Sequence, residues 1–152
     1  MQQQGPILVV AASIVKGNNI LLARREEPGI VGWELPGGKV EFGETLEEAL
    51  QREIHEELRL KIVPEFLIPY IHTNIWSKGG IQRHYAIVCY RSSLVGPNDF
   101  SLAAQLSSRV SWFKWDEIDY SATLPGTREF VELSVVEPKE TEMKEALMCI
   151  VR

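Results

Sequence analysis

Glu53, Glu56 and Glu57 stand at the i, i+3 and i+4 spacing that gathers side chains on one side of a helix. At ~100° per residue the three fall within an arc of roughly 100°. Like charges that close destabilise a helix unless something positive offsets them. The apolar stripe of the same segment is Leu46, Leu50, Ile54 and Leu58, and Glu57 projects between Leu46 and Leu50, with Glu53 beside it. A carboxylate on a core-facing stripe is costly unless it is paired or binds a metal. Hard, oxygen-only ligands of this kind suit Mg²⁺, with Mn²⁺ able to substitute. The plainer alternative is that Arg52, His55 and solvent neutralise the cluster. The neighbouring Gly37-Gly38 loop favours the metal. Glu47 and Glu48 sit in the first turn, where negative charge suits the helix dipole, and need no chemical role.

The elements that must hold these groups can be read around them. Thr45 to Leu58 is the clearest helix: Thr45 followed by Glu48 makes a capping box, and no Gly or Pro interrupts it. Ile7 to Lys16 is an apolar, Val- and Ile-rich strand, Gly17-Asn18-Asn19 a turn, and Ile20 to Arg25 the return strand of a hairpin. Glu26 to Gly32 reads as a loop, Trp33-Glu34-Leu35 as a short extended piece, and Pro36-Gly37-Gly38 as irregular backbone. Ile62 to Trp76 is strand-like but broken by Pro64 and Pro69. Ser77 to Gly80 is a hairpin turn, and Gln82 to Ser92 a strand. A polar loop from Leu94 to Ser108, an aromatic strand from Val110 to Trp115 and a helix from Thr127 to Val135 follow, with an amphipathic helix in 138–152. Strands on both sides of a central helix predict one α/β domain spanning 1–152 around a mixed sheet.

Composition bounds the partners. The 152 residues are 45% apolar and 24% charged, as in a globular domain with a real core. The apolar run Ile7 to Ala12 is too short to span a bilayer, so no membrane is expected. Cys89 and Cys149 lack metal-type spacing and read as free thiols in a reducing cytoplasm. Net charge is −5, but the stretch Glu41 to Glu57 carries seven Glu against Arg52 alone, leaving the rest slightly positive. An extended nucleic-acid groove needs the opposite sign.

Gly38, five residues, Glu44, seven residues, Arg52-Glu53-Ile54, then Glu56-Glu57 resembles the Nudix box, with Trp33 to Glu41 similar to the usual lead-in. Arg59 stands where the box has its last Gly, a residue that ends the helix in a left-handed cap. The departure concerns that turn and not the carboxylates. The resemblance implies an α/β/α sandwich that hydrolyses a nucleoside diphosphate linked to another group. It implies Glu53, Glu56 and Glu57 as Mg²⁺ ligands, joined by the carbonyl of Gly37 or Gly38. Arg52 would orient a neighbouring box Glu, with Glu44 its partner. Glu53, or second Glu56, would be the base that activates water.

The lead-in is most similar to the MutT-type branch, which acts on nucleoside triphosphates to release a monophosphate and pyrophosphate. That likeness implies Arg25, Lys39 and Glu34 as substrate-side residues and a small nucleotide as partner. A homodimer is common among such proteins, and the sequence does not decide it. Trp112 or Trp115 is a candidate to stack a base, though aromatic strand residues are more often core. His55 points away from the carboxylates, and His72 and His84 read as structural. Leu124 to Thr127 lacks the Asn with which the MutT-type branch reads guanine, and Phe100 to Arg109 lacks a carboxylate found in many relatives. An ADP-ribose or nucleotide-sugar hydrolase, a capped-RNA hydrolase and a non-catalytic nucleotide-binding module are the alternatives. Retention of every box carboxylate argues against the last.

Overall fold

A computed structural model describes residues 5–96 and 109–136. The chain runs β1 (Ile7–Lys16), β2 (Asn19–Glu27), β3 (Ile30–Glu34), β4 (Gly37–Lys39), α1 (Leu46–Leu58), β5 (Ile62–Leu67), β6 (His72–Lys78), β7 (Ile81–Leu94), β8 (Val110–Lys114) and α2 (Thr127–Val135). Two short 3₁₀ turns, Trp115–Glu117 and Tyr120–Ala122, precede α2. The expected helix in 138–152, Cys149 and most of the 94–108 loop lie outside the described residues.

β1 is the spine. It pairs in parallel with β7 from Ile7↔Tyr85 to Ile14↔Ser92. Its other edge takes β4 through Val9, Val10 and Ala11, then β2 at Val15 and Lys16. β2 carries β3 and β8 as antiparallel neighbours, and β7 carries β5 and β6. The sheet is therefore mixed. β1 is buried on both faces, which explains its unbroken apolar run.

Strand alternation sorts the core into two layers. Val10, Ala12 and Ile14 of β1, with Val88 and Tyr90 of β7, face Ala49, Leu50, Ile54 and Leu58 of α1. Ala11 and Cys89 face the other way, toward Phe130 and Val131 of α2. One helix on each face makes the expected α/β/α sandwich. Leu50 and Ile54 are fully buried, each worth about 1.5–3 kcal/mol of transfer free energy.

The capping box forms as the sequence predicts. The Thr45 hydroxyl accepts from the Glu48 N–H at 3.2 Å, and the Glu48 carboxylate accepts from the Thr45 N–H at 2.9 Å. At the other end Arg59 adopts the left-handed cap itself, at φ 56° and ψ 24°, and its N–H donates to the His55 carbonyl at 3.0 Å. The turn survives loss of the box Gly, at a cost of roughly 1–2 kcal/mol for a residue with a Cβ.

Two local expectations are corrected. Glu26 to Gly32 is not a loop: β2 and β3 continue to a two-residue turn, Pro28-Gly29, with Gly29 at φ 84°. Gly37 and Gly38 are not irregular: they are regular strand against β1. Their lack of a side chain answers a steric need. A Cβ on Gly37 would fall on the Val10 carbonyl, and one on Gly38 on the Glu53 carboxylate.

Candidate active site

A cleft of about 780 Å³ opens on the α2 face of β1, in the range of small-molecule sites. One wall is acidic, formed by Glu53 and Glu57 of α1, Glu34 of β3 and Glu41, with Gly37, Gly38 and Lys39 of β4 beside them. The opposite wall is the β6–β7 hairpin, and the segment Leu124 to Thr127 with Phe130 closes a third side.

Arg52 organises the acidic wall. Its Nε and Nη2 donate to the two oxygens of Glu44 at 2.5 and 2.9 Å, a bidentate pair. Nη1 reaches Glu53 at 2.9 Å and Glu56 at 3.4 Å, and Nη2 also donates to the Lys39 carbonyl at 3.1 Å. One guanidinium thus joins the β4–α1 loop to two helix carboxylates. Hydrogen bonding to Arg52, helped by the Glu41 N–H, holds the Glu44 carboxyl down at about 2. The same bonds raise Arg52 further above its usual range.

Glu57 lies outside this network. Its carboxyl is pushed up to about 7, first by partial burial, then by the like charges of Glu53 and Glu34; Arg25 opposes the shift and Glu56 adds to it. It lines the cleft, beside the buried stripe of Leu50, Ile54 and Leu58. Burial likewise raises Glu34, against the pull of Arg25, whose Nε donates to it at 2.7 Å.

The predicted residues are brought together unevenly. Arg25, Glu34, Gly37, Gly38, Lys39, Glu53 and Glu57 all line the cleft. Glu44 and Arg52 stand behind the wall. Glu56 lies beyond the cleft lining, its side chain 59% exposed. Glu53 and Glu56 both bond to Arg52, and no three His, Cys, Asp or Glu side chains among the described residues are gathered closely enough to enclose an ion. The chemistry of the donor set nonetheless fits a hard divalent cation: three oxygen-only side chains, one of them raised by partial burial and then by the like charges around it, beside two glycines with no room for a Cβ.

Trp112 and Trp115 do not line the cleft. Trp112 packs on the α1-side core, and Trp115 starts a 3₁₀ turn instead of ending β8. His55 and His84 are exposed, and His72 accepts or donates one bond to the Tyr70 hydroxyl at 3.0 Å. Sequence reasoning missed Asn74, Trp76, Arg83 and Tyr85, all in the cleft. Their signal was the alternation His72, Asn74, Trp76, Lys78, which places one strand face toward the cavity.

The Nudix domain model matches residues 6–134, and the chain belongs to that family. It is 53% identical over 57 residues to a Mycobacterium tuberculosis relative, covering 36% of this chain and 40% of that one. It is 42% identical over 59 residues to the 8-oxo-dGTP diphosphatase of Proteus vulgaris, covering 36% and 53%. It is 50% identical over 56 residues to the ADP-ribose pyrophosphatase of Methanocaldococcus jannaschii, covering 36% and 33%. The chain thus spans between a third and about half of the length of these relatives. Among solved structures, the MutT Nudix hydrolase from Burkholderia pseudomallei superposes with a TM-score of 0.68 at 28% identity, covering 87% of this chain and 99% of that one. No helix among the described residues is long and apolar enough to cross a membrane.

Proposed function

We propose that the chain is a divalent-cation-dependent hydrolase of nucleoside diphosphate-linked compounds. Its favoured substrate is a (deoxy)nucleoside triphosphate, converted to the monophosphate and pyrophosphate. The observation that carries this reading is the acidic wall: Glu53 and Glu57 face a nucleotide-sized cleft while Arg52, fixed by Glu44, holds the helix carboxylates from behind. The names of the Proteus relative and the Burkholderia neighbour support it.

Glu53, Glu56, Glu57 and the carbonyl of Gly37 or Gly38 are the groups that would hold Mg²⁺. When bound, such a cation makes water more acidic and offsets charge building on the diphosphate oxygens. Glu53 is the base: it lines the cleft, and Arg52 fixes its orientation at 2.9 Å. Glu56 stands second. Arg52 and Glu44 are positioning residues. Glu34 holds Arg25 at the cleft, where a guanidinium meets phosphate oxygens, and Lys39 adds a second cation on the same side. The enzyme works in the cytoplasm, and its partner is a small nucleotide.

The test is a substrate panel with Mg²⁺ and product identification: common and oxidised nucleoside triphosphates, ADP-ribose, nucleotide sugars and dinucleoside polyphosphates. Monophosphate plus pyrophosphate, abolished by chelation, is the expected result. Turnover of ADP-ribose alone, in keeping with the Methanocaldococcus relative, would keep the acidic wall and replace the substrate. No turnover of any compound would overturn the reading in favour of a binding module.

A further inference from the structure

The cleft face of the sheet works as a ruler. Along one rung the side chains run Lys39 on β4, Val9 on β1, Ile87 on β7 and His72 on β6. One rung away on β6, Asn74 stands opposite Tyr85, and beyond it Trp76 opposite Arg83. Three strand spacings of ~4.8 Å separate β4 from β6, about 14 Å in all. A nucleotide anchored by its phosphates at β4 and α1 carries its base toward the hairpin over a distance of that order.

Two polar atoms on this face lack partners. The Asn74 side-chain oxygen and His72 Nε2 are both shut from solvent without a hydrogen bond among the described residues. An unpaired buried polar atom is costly to keep. Asn74 itself lines the cleft, so its amide stands at the wall that a bound base would meet. An amide offers an acceptor and a donor side by side, which matches the hydrogen-bonding edge of a nucleobase. Trp76, half-buried on the same face, supplies a flat apolar surface beside it. Opposite, Gly126 is held so close to His72 that a Cβ there would strike the imidazole ring. The Gly126 backbone therefore packs directly against the imidazole at the α2 end of the slot.

We infer that the inner face of the β6–β7 hairpin is the base-recognition subsite, with Asn74 reading the base edge and Trp76 stacking on its plane. This deepens the nucleotide reading and rests on it for catalysis, though not for binding. The loop at Leu124 to Thr127 then serves as a wall, and base selection has moved to the opposite strand.

The test separates binding from turnover. Nucleoside monophosphates carrying the five common bases are titrated by calorimetry without added metal, into wild type, Asn74→Leu, Asn74→Asp and Trp76→Ala. Wild type is expected to discriminate among bases by at least tenfold in Kd. Asn74→Leu should flatten that ranking. Asn74→Asp, an acceptor only, should move it toward bases presenting two adjacent donors, such as guanine. Trp76→Ala should weaken all bases about tenfold, the scale of a lost base–aromatic stack. Asn74→Asp keeps the size of the side chain, so it remains informative if the leucine variant misfolds. An unchanged ranking in both Asn74 variants, or no nucleotide bound by wild type, overturns the subsite. Asn74-dependent binding in a protein that hydrolyses nothing would keep the subsite and overturn the hydrolase.

Discussion

The two walls of the cleft are built on opposite terms. On the acidic wall Arg52 gives Glu44, Glu53 and Glu56 a charged partner, and a single guanidinium ties loop, strand and helix together. On the hairpin wall pairing is incomplete: Lys78 meets Glu27 and His72 meets Tyr70, but the Asn74 side-chain oxygen and His72 Nε2 are buried without a partner among the described residues. Groups that must repeat one geometry at every turnover are preorganised by their neighbours. Groups that recognise a variable part of a ligand keep their hydrogen-bonding capacity for it.

This contrast can be broken most sharply at Glu53. Glu53→Gln should lower kcat by 100-fold or more, the usual contribution of a general base, with little change in Tm. Steady-state kinetics and a thermal melt decide it. Near-wild-type kcat would remove Glu53 from the chemistry and dissolve the distinction between the walls. Asn74→Leu should instead act mainly through KM.

Arg52→Lys tests whether the network, rather than a positive charge, matters. A lysine cannot make the bidentate pair with Glu44. We expect about a tenfold fall in kcat and a loss of ~1–2 kcal/mol on denaturant unfolding. A silent substitution would show that any cation behind the wall suffices.

The contrast between the walls also bears on what could be read beforehand. The helix carboxylates of the acidic wall were legible because they obey helix rules, a capping box and an i, i+3, i+4 cluster, whereas the Glu44–Arg52 pair was implied only by the resemblance to the Nudix box. The hairpin wall was not legible, because strand residues lining a polar cleft look like residues lining solvent. Ile75 faces outward at 64% exposure while Asn74 and Trp76 face inward. The hydrophobic pattern therefore points the wrong way, and Pro64 and Pro69 further disguise the segment. Gly37 and Gly38 were noticed for the wrong reason. Glycine usually signals a turn, whereas here it signals a close approach that only the packed structure reveals.

A smaller effect separates Glu57 from its paired neighbours. Its carboxyl lies near 7 in the fold against an ordinary 4.5, so the fold favours the neutral form. The metal-free protein should therefore lose stability as pH rises from about 4.5 through 7. Glu57→Gln should raise the metal-free Tm at pH 8 and leave it unchanged near pH 4. A lowered Tm at pH 8 would mean that Glu57 has a stabilising partner and belongs with Arg52 after all.

The smallest expected effect lies at the far end of the same helix. Arg59→Gly should stabilise the protein by about 1 kcal/mol by relieving the left-handed residue, a shift of ~2–4 °C for a chain of this size. kcat should not move. Altered kcat would show that the helix end tunes the acidic wall from a distance.

The position of β1 in the sheet sets the order of events during folding. Its parallel partner, β7, comes far later in the chain: Val9 pairs with Ile87, and β2 to β6, with α1, lie between. The surface that seats α1 needs both strands, because Val10, Ala12 and Ile14 meet Val88 and Tyr90 beneath it. During synthesis the acidic helix therefore emerges before its seat exists, and its exposed apolar stripe must wait. Such long-range pairing slows folding and lengthens the interval in which sticky surface is open to other chains. The same strand that gives the finished cleft its floor leaves the unfinished chain with apolar surface uncovered for longer.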